Sequence, residues 1–298
     1  MKKLIVIGGP TASGKTGLSV ALAKELNCPI ISADSRQFYK ELSIGTAKPS
    51  LEEQDGVEHF FIHSHSLQAP LSAGEYEHQA IQKIEELFTT HDTLILTGGS
   101  GMFIDAVLFG IDDIPKDKTL KQELIQLEEE KGLDHLLQLL QTKDPEYYQE
   151  VDKANSHRVI RALEAIELSQ QKFSDLRKKS AKKRNFEHKI FIINHPREVL
   201  YDRINLRVDL MVKEGLFEEV ESVKEYRNLQ SLNTVGYKEV FDFLDGKKDK
   251  LECIELIKRN TRRYAKRQIT WFKRYPSATW INYTTTHEML KSILEDLK

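Results

Sequence analysis

The chain has 298 residues, of which 30% are charged and 40% hydrophobic, proportions that indicate a folded globular protein. Its net charge of −2 does not by itself predict a nucleic-acid partner. Its two cysteines, Cys28 and Cys253, lie far apart in sequence and fit no metal-ligand spacing, which favours a reducing compartment over a disulfide framework. The apolar run at residues 4–7 is too short for a signal peptide and no run reaches membrane-spanning length, so we expect a cytoplasmic protein.

A phosphate-binding loop follows the first predicted strand. Residues 9–16 match G-x-x-x-x-G-K-[ST] completely and stand between the apolar run and leucines at helical spacing. The glycines allow a tight turn in which successive N–H groups and the following helix end surround phosphate oxygens. The lysine adds a charge, and the last hydroxyl can ligate Mg²⁺. A glycine-rich turn with a solvated lysine is the alternative. The residues are Gly9, Pro10, Thr11, Ala12, Ser13, Gly14, Lys15 and Thr16.

Further apolar runs of strand length lie at residues 29–32, 93–97 and 189–193, with helical patterns between the first three strands. This alternation predicts an α/β fold, a P-loop NTPase-like parallel sheet core flanked by helices. From residue 114 strand signals disappear, and leucines at helical spacing mark two helices separated by Gly132. We therefore predict a discontinuous catalytic core at residues 1–113 and 186–298 and an all-helical insertion domain at residues 114–185.

Three polar residues are candidates to complete the site. Asp34 follows the second predicted strand, where ligands of open α/β sheets collect, and it could accept a proton or cap the next helix. Ser100 lies in a glycine-rich turn after the third strand, which either admits a substrate or only forms the turn. Arg207 lies beside the apolar stripe of a helix and needs a bound phosphate or an internal carboxylate.

Two stretches concentrate positive charge. Residues 172–184 contain seven Lys or Arg and one acid, and residues 258–274 contain eight Lys or Arg and no acid. The second stretch shares a helix with an apolar stripe that includes Tyr264 and Phe272, so we expect one side to pack in the core and the other to attract the phosphates of a nucleic acid. A solvated basic face without a partner is the alternative for either stretch.

Six blocks stand in order between residue 4 and about residue 275. They are the phosphate loop, Asp34-Ser35-x-Gln37-x-Tyr39, Ile-Gly-Thr-Ala-Lys-Pro at 44–49, Asn-x-x-Arg-Val-x-Arg-Ala-Leu-Glu at 155–164, Val-Gly-Tyr-Lys-Glu at 235–239 and Thr-Arg-Arg-Tyr-Ala-Lys-Arg-Gln at 261–268. Together they resemble the tRNA dimethylallyltransferases of the IPP transferase family. The bacterial type is expected, because the cysteines for a eukaryotic zinc-finger extension are missing.

The resemblance implies a prenyl transfer to tRNA. The dimethylallyl group of dimethylallyl diphosphate would pass to N6 of adenosine 37, 3′-adjacent to the anticodon of tRNAs reading codons that begin with U, giving N6-dimethylallyladenosine and diphosphate. The implied cofactor is Mg²⁺, held through Thr16. The implied partners are dimethylallyl diphosphate and the anticodon stem-loop of tRNA, which the insertion at 114–185 would contact; we expect no membrane partner and a monomer.

By the same resemblance, Asp34 is the general base facing the adenine amine, and Thr11 and Arg207 assist departure of the diphosphate. The diphosphate would be bound by Gly9, Pro10, Thr11, Ala12, Ser13, Gly14, Lys15, Thr16 and Arg207. Contacts to tRNA would come from Asp34, Ser35, Arg36, Gln37 and Ser100 and, in the second basic stretch, from Arg262, Arg263 and Lys266.

Two other functions fit parts of the sequence. A P-loop kinase that transfers a phosphoryl group from ATP to a small metabolite would use the loop and Asp34 but would leave both basic stretches without a role. An RNA-binding module could instead use the loop only for nucleotide-dependent regulation.

Overall fold

The computed structural model describes residues 2–177 and 181–298. It divides into two compact units, Met1–Leu108 with Lys183–Lys298 and Phe109–Lys182, here called the core unit and the helical unit. Lys178 and Lys179 of the first basic stretch lie outside the described residues. The role of an insertion domain in tRNA binding stays a prediction.

The core unit contains one sheet of six strands, and every pair of neighbouring strands is parallel. The strands are β1 (Lys3–Gly8), β2 (Ile30–Ser32), β3 (His59–Phe60), β4 (Thr93–Gly98), β5 (Glu187–Asn194) and β6 (Thr279–Asn282). Their order across the sheet is β3-β2-β4-β1-β5-β6. The centre of β1 is fully buried because helices cover both faces of a sheet of this kind.

Helices connect these strands and form the whole of the helical unit's regular structure in its described residues. In chain order they are α1 (Lys15–Leu26), α2 (Leu51–Gln54), α3 (Ala73–Leu87), α4 (Gly101–Phe109), α5 (Lys118–Lys131), α6 (Leu133–Lys143), α7 (Pro145–Glu150), α8 (Ser156–Ser169), α9 (Phe173–Leu176), α10 (Arg197–Lys213), α11 (Leu216–Ser222), α12 (Tyr237–Leu244), α13 (Lys250–Phe272) and α14 (Thr286–Asp296). Short 3₁₀ turns lie at Lys224–Tyr226 and Gln230–Leu232.

Local sequence signals explain where several helices begin and end. Ser72 and Glu75 form a capping box at the start of α3. Helix α1 ends at Asn27, whose left-handed φ of 46° lets its N–H bond to the last carbonyls. Gly132, with φ of 81°, separates α5 from α6 as predicted. The apolar face of α1, including Leu18 and Leu22, then packs against the sheet in one buried cluster.

The helical unit has its own core. Leu136 and Leu140 of α6 pack with Val159 and Leu163 of α8 in one buried cluster. Arg161 ties α8 to the preceding segment, because its guanidinium donates to the carbonyl oxygens of residues 114 and 115 at 2.7 and 2.6 Å. Because these contacts join residues of the helical unit to one another, the unit has a hydrophobic core of its own, as a separate domain does.

The predicted parallel α/β sheet is confirmed, and all four predicted strands belong to it. β3 and β6 were not predicted. β3 has two residues and β6 has four, of which only Ile281 is buried, so neither carries a readable apolar pattern. No helix in the described residues is long and apolar enough to cross a membrane.

Candidate active site

Three loops meet at one edge of the sheet. β2, β4 and β1 are neighbours, and the register pairs Ser32 with Thr97 and Gly8 with Gly98. Because the strands are parallel, their carboxyl ends share this edge. The phosphate loop, Asp34 and Ser100 therefore leave the sheet side by side, which the sequence alone could not show for segments this far apart.

The phosphate loop turns through left-handed conformations. Ala12 has φ of 61° and Gly14 has φ of 90°, a region that favours glycine. A Cβ on Gly14 would also contact Tyr283 and Arg203 at 3.4 and 3.7 Å. The Lys15 ammonium donates to the carbonyl oxygen of Pro10 at 2.8 Å, so the lysine folds back over the loop.

Side chains from three distant segments hold the outside of the loop. Arg203 of α10 donates from Nε to the Ala12 carbonyl at 2.8 Å, and His195 contacts the Ser13 carbonyl through Nε2 at 2.9 Å. Gln268 of α13 accepts from the Thr11 N–H at 2.9 Å and donates to the Gly99 carbonyl at 2.8 Å. Gln268 thus joins the phosphate loop to the turn after β4, and it leaves Thr11 only its hydroxyl for a ligand.

The charges of Lys15, Asp34 and Arg207 act on one another. Burial lowers the pKa of Lys15 to about 8, against the attraction of Asp34 and with the repulsion of Arg207. Burial also lowers the pKa of Arg207, and Asp34 again opposes the change. Among the described residues, Arg207 forms no ion pair with an acid, and its guanidinium donates to the Ala47 carbonyl at 3.3 Å. Both an anionic ligand and an internal carboxylate stay predictions as the partner of Arg207, and Asp34 is the carboxylate that acts on it most.

Asp34 does not cap a helix. Its Oδ1 accepts from the Arg36 N–H at 3.1 Å in a local turn, and the next helix, α2, is capped by Ser50. The half-buried carboxylate is thus held by one oxygen at the rim of the site. The Ser100 hydroxyl links the neighbouring segments, because its oxygen accepts from the Ser35 N–H at 3.1 Å and lies 3.1 Å from the Ser35 hydroxyl.

The glycines around Ser100 are explained by close approach within the protein. A Cβ on Gly98 would lie 2.4 Å from the Ala33 carbonyl oxygen, and one on Gly101 would lie 2.1 Å from the Trp271 ring. Both distances are shorter than the van der Waals contact distance between two non-bonded heavy atoms. A residue with a Cβ would therefore clash here, and the neighbouring segments can pack only against glycine. This favours the turn-forming interpretation for these two positions.

Tyr264, which its spacing assigns to the packed stripe of α13, is half-buried and lies beside Asp34 and Ser100. Burial and then the charge of Asp34 raise its pKa to about 12, while Arg36 and a hydrogen bond with Ser100 act in the opposite direction. The phenol therefore stays protonated beside the carboxylate. Phe272 of the same stripe is fully buried as predicted.

Residues 43–45 are held by one carboxylate. Glu219 of α11 accepts from the N–H groups of Ser43, Ile44 and Gly45 at 2.7, 2.7 and 2.9 Å, and from the Tyr237 hydroxyl at 2.6 Å. A Cβ on Gly45 would lie 2.7 Å from the Tyr237 ring. Two of the blocks seen in the sequence are therefore one structural unit.

Gln37 supports the continuation of that loop. Its side-chain amide donates to the Thr46 and Ala47 carbonyls at 3.3 and 3.2 Å. Because Arg207 donates to the same Ala47 carbonyl, Gln37 and Arg207 meet on one short segment.

The basic residues of the two stretches differ in whether they already form hydrogen bonds or ion pairs within the protein. Arg262 donates to Asn205 at 2.6 Å and is half-buried, whereas Arg263 and Lys266 are exposed on α13. In the first stretch, Arg184 pairs with Glu77 at 2.9 Å with both side chains largely buried. Part of that stretch is therefore internal structure rather than free positive surface.

Comparison with known proteins identifies the family of this chain. A sequence model described as IPP transferase matches residues 37–275. The chain belongs to the IPP transferase family. Relatives within it include a tRNA dimethylallyltransferase of Flavobacterium johnsoniae, 44% identical with 100% of this chain and 99% of the relative covered. A tRNA dimethylallyltransferase 1 of Bacteroides thetaiotaomicron is 45% identical, with 98% and 95% covered.

Solved structures of IPP transferases are similar along the whole chain. The tRNA isopentenylpyrophosphate transferase of Bacillus halodurans has a TM-score of 0.74 at 37% identity, covering 100% of this chain and 96% of that one. A eukaryotic dimethylallyltransferase described as acting on tRNA has a TM-score of 0.83 at 25% identity, covering 100% and 78%.

Four residues of the site were not among the predicted ones: His195, Arg203, Tyr264 and Gln268. Gln268 had a visible signal, since it occupies the apolar stripe of α13 between Tyr264 and Phe272, and a polar residue at a core position needs a buried partner. His195 and Arg203 had none, because their partners are backbone carbonyls remote in sequence.

Proposed function

We propose that this IPP transferase transfers the dimethylallyl group of dimethylallyl diphosphate to N6 of adenosine 37 in tRNAs that read codons beginning with U. The products are N6-dimethylallyladenosine and diphosphate. Family membership and full-length relatives named tRNA dimethylallyltransferase support the proposal. The observation that carries it is that the charge of Asp34 acts on both Lys15 and Arg207, so these three side chains lie close together at one sheet edge. The kinase alternative is not favoured, because none of these relatives is named a kinase.

The diphosphate is the leaving group in this reaction. An allylic diphosphate ionises readily because its carbocation is resonance-stabilised, so the protein chiefly neutralises charge that builds on the departing oxygens. Lys15 and Arg207 supply the positive charges, and the N–H groups of the loop and of the first turn of α1 supply donors. Thr11 contributes its hydroxyl, since Gln268 holds its N–H.

Mg²⁺ fits beside the diphosphate. Thr16 is half-buried in the first turn of α1, directly after Lys15. No group of three His, Cys, Asp or Glu in the described part of the chain competes as a metal site. One hydroxyl together with phosphate oxygens and water suits Mg²⁺, which keeps several waters. When bound, the ion adds to the neutralisation of the diphosphate.

Asp34 is the general base. The adenine N6 lone pair is delocalised into the ring, so removing its proton as the carbon–nitrogen bond forms lowers the barrier. One oxygen of Asp34 is held by the Arg36 N–H, and we assign the other to the amine. The neutral Tyr264 phenol beside it can hydrogen-bond the purine without competing for the proton.

The tRNA must present adenosine 37 outside its base stack, at a cost of a few kcal/mol. Compensating contacts would come from the site rim and from the exposed charges of α13. The rim residues are Ser35, Arg36, Gln37 and Ser100, and the residues of α13 are Arg262, Arg263 and Lys266. The helical insertion at 114–185 would contact the anticodon stem-loop. We place the enzyme in the cytoplasm as a monomer.

The decisive experiment gives the protein dimethylallyl diphosphate with an anticodon stem-loop RNA, followed by nuclease digestion and mass spectrometry. N6-dimethylallyladenosine at position 37 is expected. A stem-loop with guanosine at position 37 is the matched control, and it should remain unmodified. Labelled ATP with candidate metabolites forms the opposing arm: a phosphorylated metabolite without modified RNA would overturn the proposal in favour of a kinase.

A further inference from the structure

His195 lies directly after β5 and is almost completely buried behind the phosphate loop, with 7% of its surface exposed. Its Nε2 is 2.9 Å from the Ser13 carbonyl oxygen. Because a carbonyl oxygen can only accept, Nε2 carries the proton. Nδ1 has no hydrogen-bond partner among the described residues. Burial lowers the pKa of this imidazole, the hydrogen bond to the Ser13 carbonyl opposes that change, and the nearby cations Arg203 and Lys15 lower the pKa further, so the ring is neutral near pH 7.

The ring is fixed in place by two neighbours. It stacks on Tyr283 with ring centroids 4.2 Å apart. Arg203 lies over the ring of the same Tyr283, 4.8 Å from its centroid, and donates to the Tyr283 hydroxyl at 3.2 Å. Since Arg203 also binds the Ala12 carbonyl, two interlocked side chains hold two consecutive carbonyls of the loop.

Holding these carbonyls determines where the next N–H groups point. In a trans peptide the C=O of one residue and the N–H of the next face opposite sides, and the chain has no cis peptide in its described part. With the Ser13 carbonyl directed at His195, the Gly14 N–H is directed away from it. No acceptor within the described residues meets that N–H. Phosphate loops bind anions through N–H groups of this kind.

Gly14 makes an external anchor necessary. Glycine populates both signs of φ about equally, so the peptide between Ser13 and Gly14 can rotate at low cost. Gly14 adopts φ of 90°, and without a Cβ it has no side-chain contact that would hold the peptide in this orientation. A hydrogen bond from a rigid, stacked imidazole removes this freedom before the ligand arrives, which reduces the ordering cost of binding.

We propose that His195 is a positioning residue for the donor's diphosphate: its Nε2–H bond to the Ser13 carbonyl fixes the following peptide so that the Gly14 N–H is aimed at a phosphate oxygen. The inference rests on the proposed function only in taking that diphosphate to be the end of the prenyl donor.

Two variants separate this role from simple packing. His195→Phe keeps an aromatic ring of similar size on Tyr283 but has no donor, whereas His195→Gln loses the ring and keeps an N–H at a similar reach. The probe is inorganic pyrophosphate with Mg²⁺, measured by titration calorimetry, with kinetics for dimethylallyl diphosphate alongside. His195→Phe should weaken pyrophosphate binding by about 10- to 100-fold, the range for one donor to a charged acceptor. His195→Gln should stay near the wild type.

The reverse ranking, or a His195→Phe protein that binds pyrophosphate like the wild type, would overturn the inference. Thermal unfolding of both variants reports packing separately, and His195→Met serves as the donor-free variant if the phenylalanine protein does not fold. Binding of the stem-loop RNA should be unchanged in every variant. If the wild type binds pyrophosphate in this pattern but does not prenylate RNA, the proposed function fails and the positioning role of His195 stands.

Discussion

The phosphate loop and the basic face of α13 both carry positive charge, yet they are built in opposite ways. The loop is fixed from outside by hydrogen bonds of 2.8 to 2.9 Å: Arg203 and His195 donate to its carbonyls, and Gln268 accepts from its Thr11 N–H. On α13, Arg263 donates to Asn260 at 3.4 Å, and both Arg263 and Lys266 are exposed. A small anion that must react needs donors already in place, whereas a large polyanion can be attracted by mobile, solvated charges.

The dielectric surroundings increase this difference. A charge in the half-buried site interacts with its neighbours several times more strongly than the same charge in water. Salt screens exposed charges over about 10 Å and reaches the buried ones less. Each residue of the loop region should therefore matter individually, and the residues of the basic face should matter mainly by their number.

The largest effect is expected at Asp34. Asp34→Asn keeps an oxygen that can accept from the Arg36 N–H but removes the base, so single-turnover transfer should slow by about 10²- to 10⁴-fold. Affinity for pyrophosphate and for the stem-loop RNA, both measured on the same protein, should not fall by a comparable factor, because the variant removes a negative charge beside Lys15 and Arg207. A transfer rate within tenfold of the wild type would show that the carboxylate does not take the proton.

The next effect is on stability. Glu219→Gln replaces a carboxylate that accepts from three N–H groups and from the Tyr237 hydroxyl, and it should lower the free energy of unfolding by about 2 to 4 kcal/mol in urea titrations. Glu221→Gln, an exposed position on the same helix, is the matched control and should stay within about 0.5 kcal/mol of the wild type. Equal stabilities for the two variants would mean that the loop at residues 43–45 is held by other contacts.

Lys15 should make diphosphate binding depend on pH. Its pKa is lowered to about 8, so the ammonium is charged below pH 8 and loses its proton as the pH rises above it. Its attraction for pyrophosphate should weaken towards a limit of about tenfold per pH unit above that point. Lys15→Ala removes the contribution of the lysine, whereas the ionisation of pyrophosphate itself is the same for both proteins. The difference between their affinities for pyrophosphate, measured across the pH range, therefore gives the contribution of Lys15. Parallel curves for both proteins would contradict the assignment.

Sequence patterns could predict the parts of this molecule that depend on local order. The alternation of apolar runs and helices predicted the parallel sheet, and Gly132 predicted the break between α5 and α6. The phosphate loop was readable because all its residues are contiguous. β6 was not readable, because an edge strand with one buried residue has no period to detect.

Contacts that join distant segments could not be predicted in this way. Glu219 lies about 175 residues from the N–H groups it accepts from, and Gln268 lies 257 residues from Thr11. Charge counting also misleads, because Arg184 contributes to a basic stretch in the sequence but is paired with Glu77 in the fold. Tyr264 was placed in the core by its spacing, although the same helix face runs from the core to the site.

The smallest effects are expected on the basic face, where they appear as a change of salt dependence. Arg263→Ala with Lys266→Ala should reduce the slope of log affinity for stem-loop RNA against log salt by about 0.7 to 0.9 per charge, with prenyl transfer at saturating RNA unchanged. Lys258→Ala removes one charge from the same helix, but Lys258 already pairs with Asp209 at 2.8 Å, so it is the matched control and should leave the slope nearly unaltered. If all three positions changed the slope alike, net charge rather than a defined face would govern RNA binding, and the contrast with the preorganised loop would be sharper still. An unaltered slope in the double variant would instead show that this face of α13 does not meet the RNA.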